Sequence, residues 1–145
     1  VRIDNLAPDI AFGGIKTVSI DSFEIKEQIA EGGFAHVYKG IVKPNPSSKN
    51  QLLPAGLVVA IKQISTDNNE DMVDIFTGFQ REAQIMSCFD HPNLVKLIGA
   101  TAIGNPLYLI MEYIPGGTLF DLLHDTLPGE LDWSLRIRIC LDVAR

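Results

Sequence analysis

Val58-Val59-Ala60-Ile61-Lys62-Gln63-Ile64 sets one lysine inside an apolar, β-branched run of strand length. A strand interior tolerates an unpaired ammonium poorly, so Lys62 needs either a partner or a way out to water. Side chains alternate along a strand, which puts Ala60 and Lys62 on one face, a small flat spot beside a point charge. That combination suits a nucleotide, with its base over the alanine. An edge strand with a snorkelling lysine accounts for the seven residues as well, so the surroundings must decide.

Upstream, Phe23, Ile25 and Ile29 fall on one parity of an extended run. Ala30-Glu31-Gly32-Gly33 and a β-rich run from Val37 to Val42 come next, the pattern of a hairpin closed by a glycine turn. Residues 1–20 mix Pro8, Gly13 and Gly14 without a sustained period and predict an arm or linker. Lys43 to Gly56 carries three prolines and reads as a surface loop. Downstream, the period turns helical from Met72 to Phe89, with Phe76, Phe79, Ala83 and Met86 on one face. Asp90-His91-Pro92-Asn93 ends that helix, because proline disfavours helical geometry in the residue before it. Strands are predicted at Leu94 to Ala100 and Leu107 to Tyr113, with a turn at Gly104-Asn105-Pro106 between them. After Pro115-Gly116-Gly117 come two helical segments, one from Thr118 and one after Asp132 with Trp133, Ile137, Cys140, Leu141 and Ala144 on one face. The expected fold class is α+β: a small lobe of five strands and one helix, then the start of a helical region.

Composition narrows the function. A chain of 145 residues at 46% hydrophobic fits one compact domain or a piece of a larger one. A net charge of -6 offers no basic stripe, which argues against a nucleic-acid binder or a polybasic membrane anchor. No apolar run approaches a membrane span. Cys88 and Cys140 lie in apolar helical patterns and read as reduced, buried thiols. His36, His91 and His124 are too dispersed to suggest a metal site. The chain reads as an internal piece of a cytoplasmic protein.

Glu82 is the second informative charge. Phe79 lies three residues before it and Met86 four after, so Glu82 falls within the apolar stripe of its helix. A buried carboxylate wants a partner. An exposed glutamate beside Arg81 is the alternative, an arrangement worth little. Asp121 is also ambiguous, since Thr118-Leu119-Phe120-Asp121 is a capping-box pattern that would serve a helix start.

Five stretches occur in the order found in eukaryotic protein kinases: the glycine turn, Val-Ala-Ile-Lys, Phe79-Gln80-Arg81-Glu82-Ala83, His91-Pro92-Asn93-Leu94-Val95, and Ile110-Met111-Glu112-Tyr113-Ile114-Pro115-Gly116-Gly117. From Phe23 to Arg145 the chain resembles that family, and its wording is similar to the tyrosine-kinase-like group of Raf, Roco and plant receptor-like kinases. The resemblance implies a kinase N-lobe at residues 21–114, with a five-stranded antiparallel sheet and one regulatory helix. Residues 115–145 would hold the hinge end and the first helices of the C-lobe. It implies ATP and a protein substrate as partners, Mg²⁺ as cofactor, and transfer of phosphate to Ser or Thr in signalling. It assigns Lys62 to the α- and β-phosphates with Glu82 as its ion-pair partner.

Within the same resemblance, Ile29, Ala30, Glu31, Gly32, Gly33, Phe34, Ala35 and Val37 form the loop over the phosphates. Ala30 and Ala35 stand where the first and third motif glycines would be, a form similar to that of the Numb-associated kinases. Ala60 and Met111, the gatekeeper, flank the adenine, while the Glu112 carbonyl and the Ile114 N–H face its edge and Asp121 lies near the ribose. No His-Arg-Asp or Asp-Phe-Gly occurs in the 145 residues, so Mg²⁺ ligands are expected in the rest of a C-lobe and these residues alone are expected to be inactive. The other reading is a pseudokinase or truncated regulatory domain that binds nucleotide or a partner. The altered glycine turn favours it; Lys62 and Glu82 oppose it.

Overall fold

The computed structural model describes residues 14–32, 35–44, 53–64, 72–101, 104, 106–125 and 132–145; Gly33, Phe34, Asn105 and most of the expected arm lie outside them. The elements run β1 (Phe23–Glu31), β2 (Ala35–Val42), β3 (Val58–Ile64), α1 (Met72–Ser87), β4 (Leu97–Ala100), β5 (Leu107–Glu112), α2 (Leu119–Asp125) and α3 (Trp133–Ala144). The strands form one antiparallel sheet in the order β1-β2-β3-β5-β4. The pairs Val37↔Lys62, Lys39↔Ala60, Ala60↔Met111 and Lys62↔Leu109 set all six residues on one face.

Both faces of the sheet are covered. On the Lys62 face, Ile64, Ala100, Leu107 and Leu109 pack against Phe76, Phe79 and Ala83 of α1. On the other, Phe23, Val42, Val59, Ile61 and Ile110 form a second cluster, with Val18, Ile20, Leu53 and Leu57 against it. Val59, Ile61 and Ile110 are completely buried there. Two-sided burial explains why Val58–Ile64 is an almost continuous apolar run instead of an alternating one.

Several expectations are corrected. The stripe Phe23-Ile25-Ile29 is broken by register shifts between Ile25 and Gln28 and between Gln28 and Ala30. Each shift adds a residue to β1 and re-aims the side chains beyond it, and Ile29 is left 44% exposed. β4 starts at Leu97, not Leu94, because the turn continues: the Leu94 N–H donates to the His91 carbonyl at 3.1 Å. Cys88 and Cys140 are exposed, not buried. α1 ends at Ser87, which takes Cys88 past the packed stripe.

The apolar face of α3 also points outward. Trp133, Ile137 and Leu141 are exposed, and Ile137 and Leu141 line an open groove of 410 Å³ with Ser134, Arg138, Asp142 and Arg145. Leu119, Phe120, Leu122 and Leu123 of α2 are exposed as well. Contiguous apolar surface of this kind drives association. The 145-residue chain by itself is therefore expected to elute as oligomers from a sizing column, and a monodisperse monomer would contradict this.

Residues 14–20, expected as part of the arm, run along the sheet. Thr17 bridges Ala100 in parallel; the Val18 N–H donates to the Ala100 carbonyl and the Ala100 N–H to the Lys16 carbonyl, both at 3.0 Å. A 3₁₀ turn (Ile20–Ser22), capped by the Ser19 side chain, then leads into β1 at the opposite sheet edge. The close approach needs Gly99, where a Cβ would lie 2.8 Å from both the Lys16 carbonyl oxygen and Val18 Cγ1. Gly99→Val should lift this segment and cost about 1–3 kcal/mol in denaturant unfolding. Faster amide exchange at Val18 would accompany the loss; unchanged exchange would refute the contact.

Candidate functional site

Lys62 and Glu82 meet. Phe79 and Ala83 are buried against the sheet and seat α1, so Glu82 between them is carried to β3, where Lys62 Nζ lies 2.6 Å from Glu82 Oε1. The short distance is that of a charge-assisted hydrogen bond. The pair is half-buried instead of buried, with side chains 25% and 38% exposed. An ion pair this wet adds at most about 1 kcal/mol to stability. Its consequence is positional: the ammonium is held beside buried Ala60 on the face shared with Val37 and Met111.

At one end of this face lies the glycine turn. The Gly32 N–H donates to the Ala35 carbonyl at 2.8 Å, closing the hairpin, and Ala30 pairs with Val37. Glu31 opposes His36 and is exposed. Gly32 does not have a positive φ, and a Cβ there would meet nothing nearer than the Ala35 carbonyl oxygen at 3.7 Å. Among the described residues, nothing makes a steric demand for glycine at this position.

At the other end, Met111 sits opposite both Ala60 and Leu97. The Glu112 carboxylate accepts from the Lys96 N–H at 2.8 Å, and the Glu112 N–H donates to the Lys96 carbonyl at 3.0 Å. Its side chain is thus committed to the protein. Val59↔Glu112 closes the β3–β5 ladder, and Tyr113 and exposed Ile114 leave the sheet beyond it. Gly116 and Gly117, at φ 111° and 80°, then turn the chain into α2.

Asp121 completes a capping box. Its Oδ2 accepts from the Thr118 N–H at 2.8 Å and the Thr118 hydroxyl at 2.7 Å, while its own N–H donates to Thr118 Oγ1 at 3.1 Å. The Thr118 hydrogen bonds, backbone first, hold the Asp121 carboxyl below the usual carboxylate range.

Two features escape the sequence pattern. Lys39 Nζ lies 3.1 Å from Glu27 Oε1 and 5.3 Å from the centre of the Tyr113 ring. Its alternation with Val37 was the available signal, but only the strand register supplies the partners. Asn93 Nδ2 donates to the Asp142 carbonyl at 2.8 Å and its N–H donates to His91 Nδ1 at 3.1 Å, tying the turn after α1 to α3.

Known proteins share this arrangement's sequence. The family model described as protein tyrosine and serine/threonine kinase matches residues 23–145. The chain belongs to the protein kinase family. It is 37% identical over its whole length to the probable serine/threonine-protein kinase roco11 of Dictyostelium discoideum, and 33% to the probable serine/threonine-protein kinase qkgA of the same organism. A G-type lectin S-receptor-like serine/threonine-protein kinase of Arabidopsis thaliana is 37% identical over 84% of the chain. The kinase chain spans only 9%, 10% and 13% of these three relatives, respectively. Its sheet with α1 corresponds to the kinase N-lobe, and α2 and α3 to the start of the C-lobe. No described helix is long and apolar enough to cross a membrane.

Proposed function

We propose that this kinase binds ATP on the Lys62 face of the sheet and transfers the γ-phosphate to Ser or Thr hydroxyls of protein substrates. The observation that carries this is the 2.6 Å Lys62–Glu82 contact on the same face as Ala60 and Met111. Lys62 would hold the α- and β-phosphates and Glu82 would fix its ammonium. Ala60, Val37, Ile29 and Met111 would enclose the base, with the Glu112 carbonyl and Ile114 N–H reading its edge. Ala30, Glu31, Gly32 and Ala35 would carry backbone over the phosphates, together with Gly33 and Phe34. Asp121 would reach the ribose only by relaxing its cap.

Transfer forms a bond from the substrate oxygen to the γ-phosphorus as the bond to the β–γ bridging oxygen breaks, leaving ADP. Mg²⁺ bound by the phosphates would neutralise charge developing there. Among the described residues no three His, Cys, Asp or Glu side chains converge as a metal site, so none is assigned to it. The serine/threonine names of the relatives support the choice of hydroxyl.

The test is full-length protein incubated with ATP labelled at the γ-phosphate and a protein substrate, then phosphoamino-acid analysis. Label on Ser or Thr is expected; absence of transfer would refute the proposal. Nucleotide binding without transfer would select the regulatory reading, which Ala30 and Ala35 in the phosphate turn favour.

A further inference from the structure

Glu27, Lys39 and Tyr113 come from three segments of the chain and meet around the Lys39 ammonium. Glu27 lies on β1 within the first of its two register shifts, between Ile25 and Gln28, where the backbone ladder is interrupted. Lys39 lies on β2 opposite Ala60, and Tyr113 is the first residue past β5. The Lys39 ammonium is 3.1 Å from Glu27 Oε1 and 5.3 Å from the centre of the Tyr113 ring, inside cation–π range. The hydrogen bond from Lys39 is the main cause holding the Glu27 carboxyl below its usual range, and Glu27 in turn raises Lys39. One side chain thereby joins the strand leading into the glycine turn to the segment that faces the adenine.

We propose that Lys39 is a positioning residue for the nucleotide, setting the separation between β1 and the Tyr113–Ile114 segment through Glu27 and the Tyr113 ring. The proposal rests on the ATP-binding reading above. It deepens that reading by assigning a residue that need not touch the phosphates. Where the bulged ladder gives β1 poor registration, a side-chain tie supplies it.

The test measures affinity of the full-length protein for ATP and for adenosine by displacement of a fluorescent ATP analogue. Lys39→Met should weaken both by about three- to tenfold, the combined size of an exposed ion pair and a cation–π contact. Lys39→Arg should restore affinity to within about twofold, because guanidinium makes both contacts. Tyr113→Leu should reproduce the loss, and Lys39→Met in that background should add less than it does alone. Glu27→Gln separates positioning from direct phosphate attraction. Positioning predicts weaker binding of ATP and adenosine alike, whereas a Lys39 released toward phosphate would strengthen ATP and leave adenosine unchanged, overturning the proposal. Thermal midpoints are read in parallel, and losses that merely track the midpoint would overturn it too. Wild type that binds neither ligand would defeat the ATP-binding reading itself; wild type that binds beside an unaffected Lys39→Met would defeat only the role of Lys39.

Discussion

Lys62→Met is expected to lower phosphotransfer by full-length protein about 10²–10³-fold, the size of losing one preorganised charge at a transition state. The fold should survive. Methionine keeps an apolar stem on β3, and Val59 and Ile61 on the opposite face do not sense the change. Glu82 loses its partner but is 38% exposed and can be hydrated, so the stability change should stay near or below about 1 kcal/mol. Turnover and urea unfolding measured on the same preparations check both halves. Equal turnover would remove the assigned role, and unfolding of the variant would remove the separation between chemistry and architecture.

Phe79→Ala acts from the opposite direction. Phe79 is 1% exposed and lies in the cluster with Ile64, Ala83, Leu107 and Leu109. Truncation should cost about 3–5 kcal/mol, since the cavity adds to the lost burial. That is a large share of the roughly 5–15 kcal/mol that holds a domain together. Glu82 rides the same helix, so a loosened α1 should also separate Glu82 from Lys62 and lower turnover before global unfolding. Phe89→Ala is the control: Phe89 is 55% exposed and lies just past α1, and its loss should fall within about 0.5 kcal/mol of wild type. Equal effects of the two substitutions in urea titrations would refute the assigned core.

The features readable from sequence were those that repeat locally. The 3.6-residue period put Phe76, Phe79 and Ala83 on one helix face with Glu82 among them, and the two-residue period put Ala60 beside Lys62; the resemblance to kinases then supplied the Lys62–Glu82 pairing. Pro115-Gly116-Gly117 announced its own turn because positive φ favours glycine. The features that escaped depend on contacts distant along the chain. The first bulge of β1 reverses the strand's phase and the second restores it, without altering its composition, so Ile29 at the second bulge cannot be placed by parity. Lys16 to Val18 has too few residues to show a period and gains its place only from Ala100, far along the chain. Lys39 finds Tyr113 through the stacking order of the strands. Cys140 was misjudged because an apolar helix stripe shows that a face seeks cover, not that this chain provides it.

Lys16 to Val18 also bears on where this domain can safely be cut. A sheet has two borders, and here they are guarded differently. β1 carries Glu24, Lys26 and Glu27 along with two bulges, features that discourage another strand from adding on. β4 has little charge of its own, reading Leu97-Ile98-Gly99-Ala100, and its outer hydrogen-bonding groups at Ala100 are occupied by Lys16 and Val18. A polypeptide begun at Phe23, the first residue matched by the family model, would keep every strand of the sheet yet uncover that border. Aggregation of such a shortened protein would then report a missing edge guard and not a defective core.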